Sequence, residues 1–585
     1  MSATLSITEP STGSLPPPAR GREPILVLTL LTLATLAIGL VLALDARWGY
    51  DEAWHFYLST LSPWTKALEE WLVDAHPPLH HLLLVPLADL GSEPFWFRLP
   101  SVLAATLSVP LWYLLLRRLR LDSDLALIGV VLFVTSLVFL DQGVSVRSYS
   151  LGILCLLAGL VAAITLVPRD ATAATWTPRP LLAALALTLA FAFMYSALFV
   201  TLGLILAWML TQPARALAIL KAPVAWIKGW RFNQWAAALV LILGHLAILL
   251  WFLVGYGRGR GAVAPMHLES LVMADGQTLV AYLWSGLVGN AAWLTPQFPV
   301  TPPWPAIAVG AFWALVSIVL IRALWRRQTA RLLLAWATLL VTLTVFAAGV
   351  AGLYPFGGLM RHQVMLWPLY LLMLLLAIDA LWSLLRAPRA RQTLAVLIVG
   401  FALLGLYRGE QAEAVGEGDT AAPWSDVLAT IPCDPGQPIY LESYVLYPIH
   451  ASLHPEGGGF RATYGFVDGV LTEVPYRKGW PGRAGSSRDW DVFASASGCT
   501  AERLIIRDRK QWGFPTIPET ETLDRLRALM AELGVDSVRM LRLHPDGESA
   551  IDPAAVDAAY RAAGLTSTPL ESIAGLDTWV VSVAP

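Results

Sequence analysis

Between Pro24 and Leu406, apolar segments of about 15–22 residues recur roughly eleven times. A helix of about 20 apolar residues matches the hydrocarbon thickness of a bilayer, so such a chain must thread a membrane repeatedly. The segments fall near 24–44, 99–116, 125–140, 149–167, 181–195, 196–210, 236–255, 305–321, 332–352, 364–385 and 393–407. The stretch 181–210 is one apolar block, too long for a straight span, and reads as two helices turning at Met194–Ser196. Composition agrees. Hydrophobic residues make up 56% and charged residues 14%, against about 25% charged in soluble domains. The mean hydropathy of +0.60 includes a polar tail. A net charge of −2 argues against a nucleic-acid role. The 25 tryptophans suit side chains anchored at membrane interfaces.

Charge orients the spans. Arg20 and Arg22 precede the first. Alternate loops then carry Arg117, Arg118 and Arg120; Arg169 and Arg179; Arg215, Lys221, Lys228 and Arg231; Arg322, Arg326, Arg327 and Arg331; and Arg386, Arg389 and Arg391. The positive-inside rule places these loops and the N-terminus in the cytoplasm. The alternation requires that Pro77–Gly91 ("PPLHHLLLVPLADLG") is not a span but an interfacial helix. The opposite, extracytoplasmic face collects "WGYDEAWHFYL", "DAHPPLHH", "FLDQGVSVRSY", the long loop from Gly255 and "YPFGGLMRHQ".

Residues 1–23 are Pro/Ser/Thr-rich and read as a disordered cytoplasmic segment. They do not read as a signal peptide, because the apolar run is long and lacks a small-residue cleavage site. The membrane part spans 24–408 and an extracytoplasmic domain spans 409–585. In that tail, "GQPIYLESYVLYPIHASL", "RLIIRDRK", "DSVRMLRLHP" and "LDTWVVSVAP" are strand-like, while "ETLDRLRALMAEL" and "PAAVDAAYRAAG" have helical periodicity. The alternation implies a small soluble α/β domain. Its Gly-rich stretches lack phosphate-loop spacing. Cys155 lies in an apolar run as a packing residue. Cys433 and Cys499 either pair outside the membrane or stay as two thiols.

Charges at membrane depth are costly, and their usual compensation is a partner or a function. Asp51 and Glu52 either hydrate a helix end or take part in chemistry. In "DAHPPLHH" the prolines hold His76 in a rigid turn and open a helix whose first turn carries His80 and His81. A His-rich tract beside two acids suits a divalent metal, with Glu52 and His76 as candidate ligands. The spacing matches no tight metal motif, and histidine as a polar interface residue or phosphate ligand is the alternative. Asp141 and Arg147 close a hairpin by a salt bridge, face a shared cavity, or do both. Gly357–Gly358 turn the chain before Arg361–His362. A guanidinium donating two parallel hydrogen bonds suits phosphate oxygens. Arg258, Arg260 and His267 add positive charge on the same face. Contact with lipid head groups is the plainer use of each cation.

In order and spacing, "YDEAWHFYL", "HPPLHHLLL", "SEPFWFRLPSVLAATLSVPLWYLLLRRL", "VRSYSL" and "YPFGGLMRH" resemble the polytopic GT-C glycosyltransferases over about 1–365. This bacterial family includes protein O-mannosyltransferases, lipid A aminoarabinose transferase and related galacturonosyltransferases. The resemblance implies a GT-C fold of about eleven transmembrane helices in the inner membrane, a sugar donor carried on polyprenyl phosphate, and inversion at the anomeric carbon. It makes Asp51 the base that activates an acceptor hydroxyl, Glu52 its partner, and Asp141 and Arg147 the acid and arginine of the third and fourth spans. It sets His76 beside the donor phosphate and has Arg361 hold it; with Arg147, Arg258, Arg260 and His362 from the charge pattern, these make up the expected donor-phosphate-binding set. Some members use a divalent cation there, and no other cofactor is implied. The acceptor is a lipid, a glycan or a protein. A transporter or flippase of a lipid-linked substrate is the competing class, but transport folds favour internal repeats and midplane sites. Here no inverted repeat is visible and the special residues gather at one face.

Overall fold

The computed structural model describes residues 23–44, 50–166 apart from 62–63, 75 and 92, 179–222, 232–255, 273–294 apart from 275, and 304–413 apart from 358–359 and 386. In the tail it describes 431–441 apart from 433 and 435, 459–467, 470–473, 490–495, 503–508, 520–543, 553–570 and 576–584. Cys433 and Cys499 lie outside the described residues; Cys155 is a free thiol in a membrane helix.

Each of the eleven apolar segments is a helix or a pair of helices. In chain order the first part contains α1 (Glu23–Ala43), α2 (Tyr50–Ser59), α3 (Trp64–Val73), α4 (Pro78–Ala88), α5 (Pro94–Arg118), α6 (Ser123–Val134), α7 (Leu137–Val144) and α8 (Tyr149–Leu166). After these come α9 (Arg179–Phe193), α10 (Ala197–Thr211), α11 (Pro213–Lys221) and α12 (Phe232–Gly255). Then follow α13 (Leu279–Leu294), α14 (Trp304–Trp325), α15 (Thr329–Val350), α16 (Met360–Gln363), α17 (Trp367–Trp382) and α18 (Pro388–Glu413). The last crosses the expected boundary at 408.

By length and composition, five described helices suffice to cross a membrane, and the bent α6–α7 pair makes a sixth. That pair turns by 60° where the Ser136 hydroxyl accepts the Phe139 N–H at 3.3 Å and so starts α7. The block 181–210 breaks at Met194–Ser196 as the pattern predicts. Helix α4, with Pro78 in its first turn, has 11 residues. At 1.5 Å per residue it is about 16 Å long, too short to span. Helix α13 is the main departure: the sequence reading treated its residues as part of a loop.

The helices pack through one continuous apolar core containing Trp112, Phe133, Leu334, Val341, Trp367 and Leu372. Helices α1 and α12 bury little of their surface against the rest, which suits lipid-facing spans. On the face carrying the basic loops, buried Arg331 is satisfied by structure. Its guanidinium donates to Leu119 O at 3.1 and 2.9 Å and pairs with Asp379 at 2.5 Å. This arginine of the positive-inside pattern also bolts α15 to the ends of α5 and α17.

The tail forms an eight-stranded sheet ordered β3-β2-β4-β5-β1-β6-β8-β7. Here β1 is Ile439–Leu441, β2 Gly459–Val467, β3 Val470–Glu473, β4 Trp490–Ser495, β5 Arg503–Asp508, β6 Ser537–Leu543, β7 Leu565–Pro569 and β8 Leu576–Val583. Strand β1 runs parallel to β5 and β6, and the remaining pairs are antiparallel. Helices α19 (Thr520–Leu533) and α20 (Pro553–Ala562) cover one face through Leu526, Met530 and Tyr560 against Tyr440, Ile506 and Met540.

Candidate active site at the helix ends

Helix α2 carries position 51, Glu52 and His55. Glu52 is buried and occupied. Arg98 of α5 grips its carboxylate through Nε at 3.0 Å and Nη2 at 2.5 Å. The backbone N–H of Val146 also donates to Glu52 Oε1 at 2.9 Å. Two charge-assisted bonds in fork geometry fix orientation as well as energy. The Val146 bond crosses 94 residues of chain and ties the residue before Arg147 to the residue after Asp51. Ser101 of α5 strengthens the junction by donating to Arg147 O at 3.1 Å. Glu52 thus ties three elements together and has the geometry of a tether.

A second hub is Asp74, to which the sequence reading assigned no role. Its Oδ1 accepts Trp54 Nε1–H at 2.8 Å. Its Oδ2 accepts the His76 backbone N–H at 2.8 Å and faces His76 Nδ1 at 3.1 Å and His81 Nε2 at 3.2 Å. Trp71 of α3 donates to Leu58 O at 2.8 Å and stacks on His81 at 5.7 Å. Pro77, extended as a residue before proline must be, lets α4 begin at Pro78. These contacts fold α2, α3 and α4 around His55. Its ring lies 4.5 Å from that of His76, 4.9 Å from His80 and 5.2 Å from His81. Among the described residues, neither nitrogen of His55 has a hydrogen-bond partner. The His80 ring faces the Val146 backbone without hydrogen-bond geometry.

Burial holds His55 and His80 well below the ordinary imidazole value, and His81 below it to a lesser degree. Burial opposes the charge of Asp74, but charge and hydrogen bonds from His76 and His81 outweigh it and keep the carboxyl well below the usual range. Both effects act in one direction. Below about pH 6.5 the unfolded chain binds protons that the buried histidines refuse, so stability is complete above that value and falls as pH drops. Each such histidine contributes a slope of up to about 1.4 kcal/mol per pH unit. The Asp74 contribution is present above about pH 4 and is lost as pH falls further, through its depressed folded value. We expect the thermal midpoint in detergent to fall steeply from pH 6.5 to 5, and His55→Phe to flatten that fall. A midpoint unchanged over this range would contradict neutral buried imidazoles.

The other predicted site residues divide. Asp141, in the last turn of α7, is exposed and accepts from the Gln142 amide. The Arg147 guanidinium lies 5.8 Å over the Tyr149 ring. His362 sits in α16, and its carbonyl accepts the Tyr354 hydroxyl at 2.6 Å. Asp51 and Arg361 are placed on α2 and α16 by backbone, with side chains outside the description. Arg258, Arg260 and His267 lie wholly outside the described residues. Among the described residues no three His, Cys, Asp or Glu side chains are arranged to hold an ion, and Glu52 pairs with Arg98. Arg98 was missed, although a charge inside the apolar run of "PFWFRLPSVL" is a readable signal.

The chain is a polytopic membrane protein, and its likeness to solved structures gives it the GT-C fold. The solved structures of ArnT from Cupriavidus metallidurans are similar to it over nearly their whole length. In the apo state the TM-score is 0.52 at 11% identity, covering 95% of this chain and 98% of that one. Bound to undecaprenyl phosphate the TM-score is 0.53 at 11% identity, covering 96% and 98%. Neither a protein-family model nor a curated protein matches the sequence.

Proposed function

We propose that the protein is an inverting glycosyltransferase that moves a sugar from a polyprenyl-phosphate donor to an acceptor hydroxyl on the extracytoplasmic face. The observation that supports this reading is the Glu52 junction, where the residue after Asp51 is held by Arg98 and by the N–H of Val146, the residue before Arg147. The similar ArnT structure bound to undecaprenyl phosphate supports a lipid-phosphate donor.

In the reaction the acceptor oxygen attacks the anomeric carbon from the side opposite the phosphate. The carbon–oxygen bond to phosphate breaks, and its electron pair leaves with the lipid phosphate. Asp51 takes the acceptor proton as general base. Phosphate needs no strong acid to depart, so the remaining task is to stabilise its growing charge. Arg147, Arg361 and His362 suit that work, with His76, Arg258 and Arg260 as further donor-phosphate residues. The transition state has oxocarbenium character, which a neighbouring carboxylate, Asp141 or Asp51, also stabilises. Glu52 acts through position: it fixes α2 against Arg98 and Val146.

The test is to incubate the purified full-length protein with a panel of polyprenyl-phosphate sugars and measure donor turnover. Release of lipid phosphate from one of them is expected. No turnover across the panel, together with movement of the intact lipid-linked sugar across vesicles, would replace this reading by a flippase.

A further inference from the structure

The segment 351–363 connects α15 to Arg361 and His362, and α13 braces it unusually closely. Gly357 has φ +82, a conformation that favours glycine. A Cβ at Gly357 would lie 2.6 Å from Gly286 Cα and 3.0 Å from Gly286 O. A Cβ at Gly286 would meet the Phe356 ring and lie 2.9 Å from Phe356 O. At Gly357 the obstacle is backbone alone, and at Gly286 it is the buried Phe356 ring together with Phe356 O. The Tyr282 hydroxyl, on the same helix, accepts the Phe356 N–H at 3.3 Å. It also lies where a Cβ of Gly349, near the end of α15, would point. Phe356 and Tyr282 are both buried, and Phe346 closes the contact from α15 at 5.5 Å from Phe356.

The far end of the segment is tied to the near end. Gln363 Nε2 donates to Pro355 O at 2.7 Å, and the Tyr354 hydroxyl donates to His362 O. The short helix bearing Arg361 and His362 thus hangs from residues 354–357, and those residues rest on α13. We propose that Gly286, Gly357 and Tyr282 are positioning residues that set the place of Arg361 and His362 at the donor phosphate. This rests on the reading above, in which those two side chains hold that phosphate.

The experiment uses the full-length protein in nanodiscs, with sugar-free undecaprenyl phosphate as the binding probe and donor turnover as the second readout. Gly286→Ala and Tyr282→Phe are compared with wild type. Gly310→Ala and Gly400→Ala serve as controls, because a Cβ at either meets nothing within 4 Å. A displacement of about 1 Å at a phosphate site weakens engagement by tenfold or more, so Gly286→Ala is expected to bind the probe at least about tenfold more weakly. Loss of one hydrogen bond predicts about a threefold effect for Tyr282→Phe, with a small fall in its thermal midpoint. Donor KM rises and kcat falls as well, since these cations hold the phosphate in the ground state and stabilise its growing charge in the transition state. If Gly286→Ala does not fold, Tyr282→Phe decides. Wild-type affinity in both variants, or in Tyr282→Phe when it is the deciding one, overturns the inference while leaving the functional reading intact. A wild-type protein that binds no lipid phosphate overturns both.

Discussion

Asp51→Asn is expected to lower sugar transfer by roughly 10²–10⁴-fold, the range of a general base, while leaving lipid-phosphate binding near wild type. The substituted amide has nearly the shape of the carboxylate but cannot accept the hydroxyl proton at neutral pH. The Glu52 junction that holds α2 is untouched, because its bonds run to Arg98 and Val146. The split between chemistry and binding is the informative part. A base acts at the transition state, so kcat and kcat/KM fall together. Full transfer activity in the variant would sink the base assignment, and lost lipid-phosphate binding would move Asp51 into the donor site. Asp141→Asn is the companion measurement, because Asp141 is the other carboxylate proposed to face the reaction.

Arg98→Met is expected to be the most destabilising of the site substitutions. Removing one partner of a buried ion pair leaves the other charge unpaired and costs about 3–5 kcal/mol. Glu52 would lose the guanidinium fork that compensates a carboxylate taken out of water. Replacing both partners with apolar side chains, Glu52→Leu with Arg98→Met, often costs little, because the desolvation penalty disappears with the charges. The double variant therefore separates fold from function. Its thermal midpoint is expected to recover most of what Arg98→Met loses. Transfer stays low, because Val146 N–H has lost its acceptor and the Arg147 loop is no longer registered against position 51. Recovery of activity along with stability would show that the junction serves stability alone.

The contrast between legible and hidden features follows a physical line. Spans α1, α5, α12, α14 and α15 were readable because a bilayer demands about 20 apolar residues whatever surrounds them. The break at Met194–Ser196 was readable because one straight helix could not use thirty apolar residues. Helix α13 was not readable as an element of its own. Its run "LVAYLWSGLVGNAAWL" carries Gly286, Gly289 and Asn290, and the charge alternation already balanced without it. Only the contact with Phe356 and Gly357 shows what Gly286 is for. In the tail, β1, β5, β6, β8 and both helices followed their periodicity. Strands β2 to β4 and β7 did not, because their glycines and polar residues gain strand character only from cross-strand partners.

At the site, the sequence named Asp51, Glu52, His76 and Arg147 because charge and histidine beside a bilayer must be compensated or used. It offered a metal and a partner carboxylate as roles for Glu52, while the described structure shows that side chain in the fork of Arg98. Asp74 stood in a quoted motif without a role, since nothing in its neighbours along the chain says that Trp54 and His81 will turn towards it. The sequence by itself determined that this protein is a multi-pass membrane protein, and it set the expectation that basic loops sort to one side and the uncommon residues to the other. Those follow from local hydropathy and charge, which act on each segment separately. Only the tertiary structure decided which charges are spent on holding helices together. A pairing such as Glu52 with Arg98 depends on how α2 and α5 pack, and packing is a property of the whole chain.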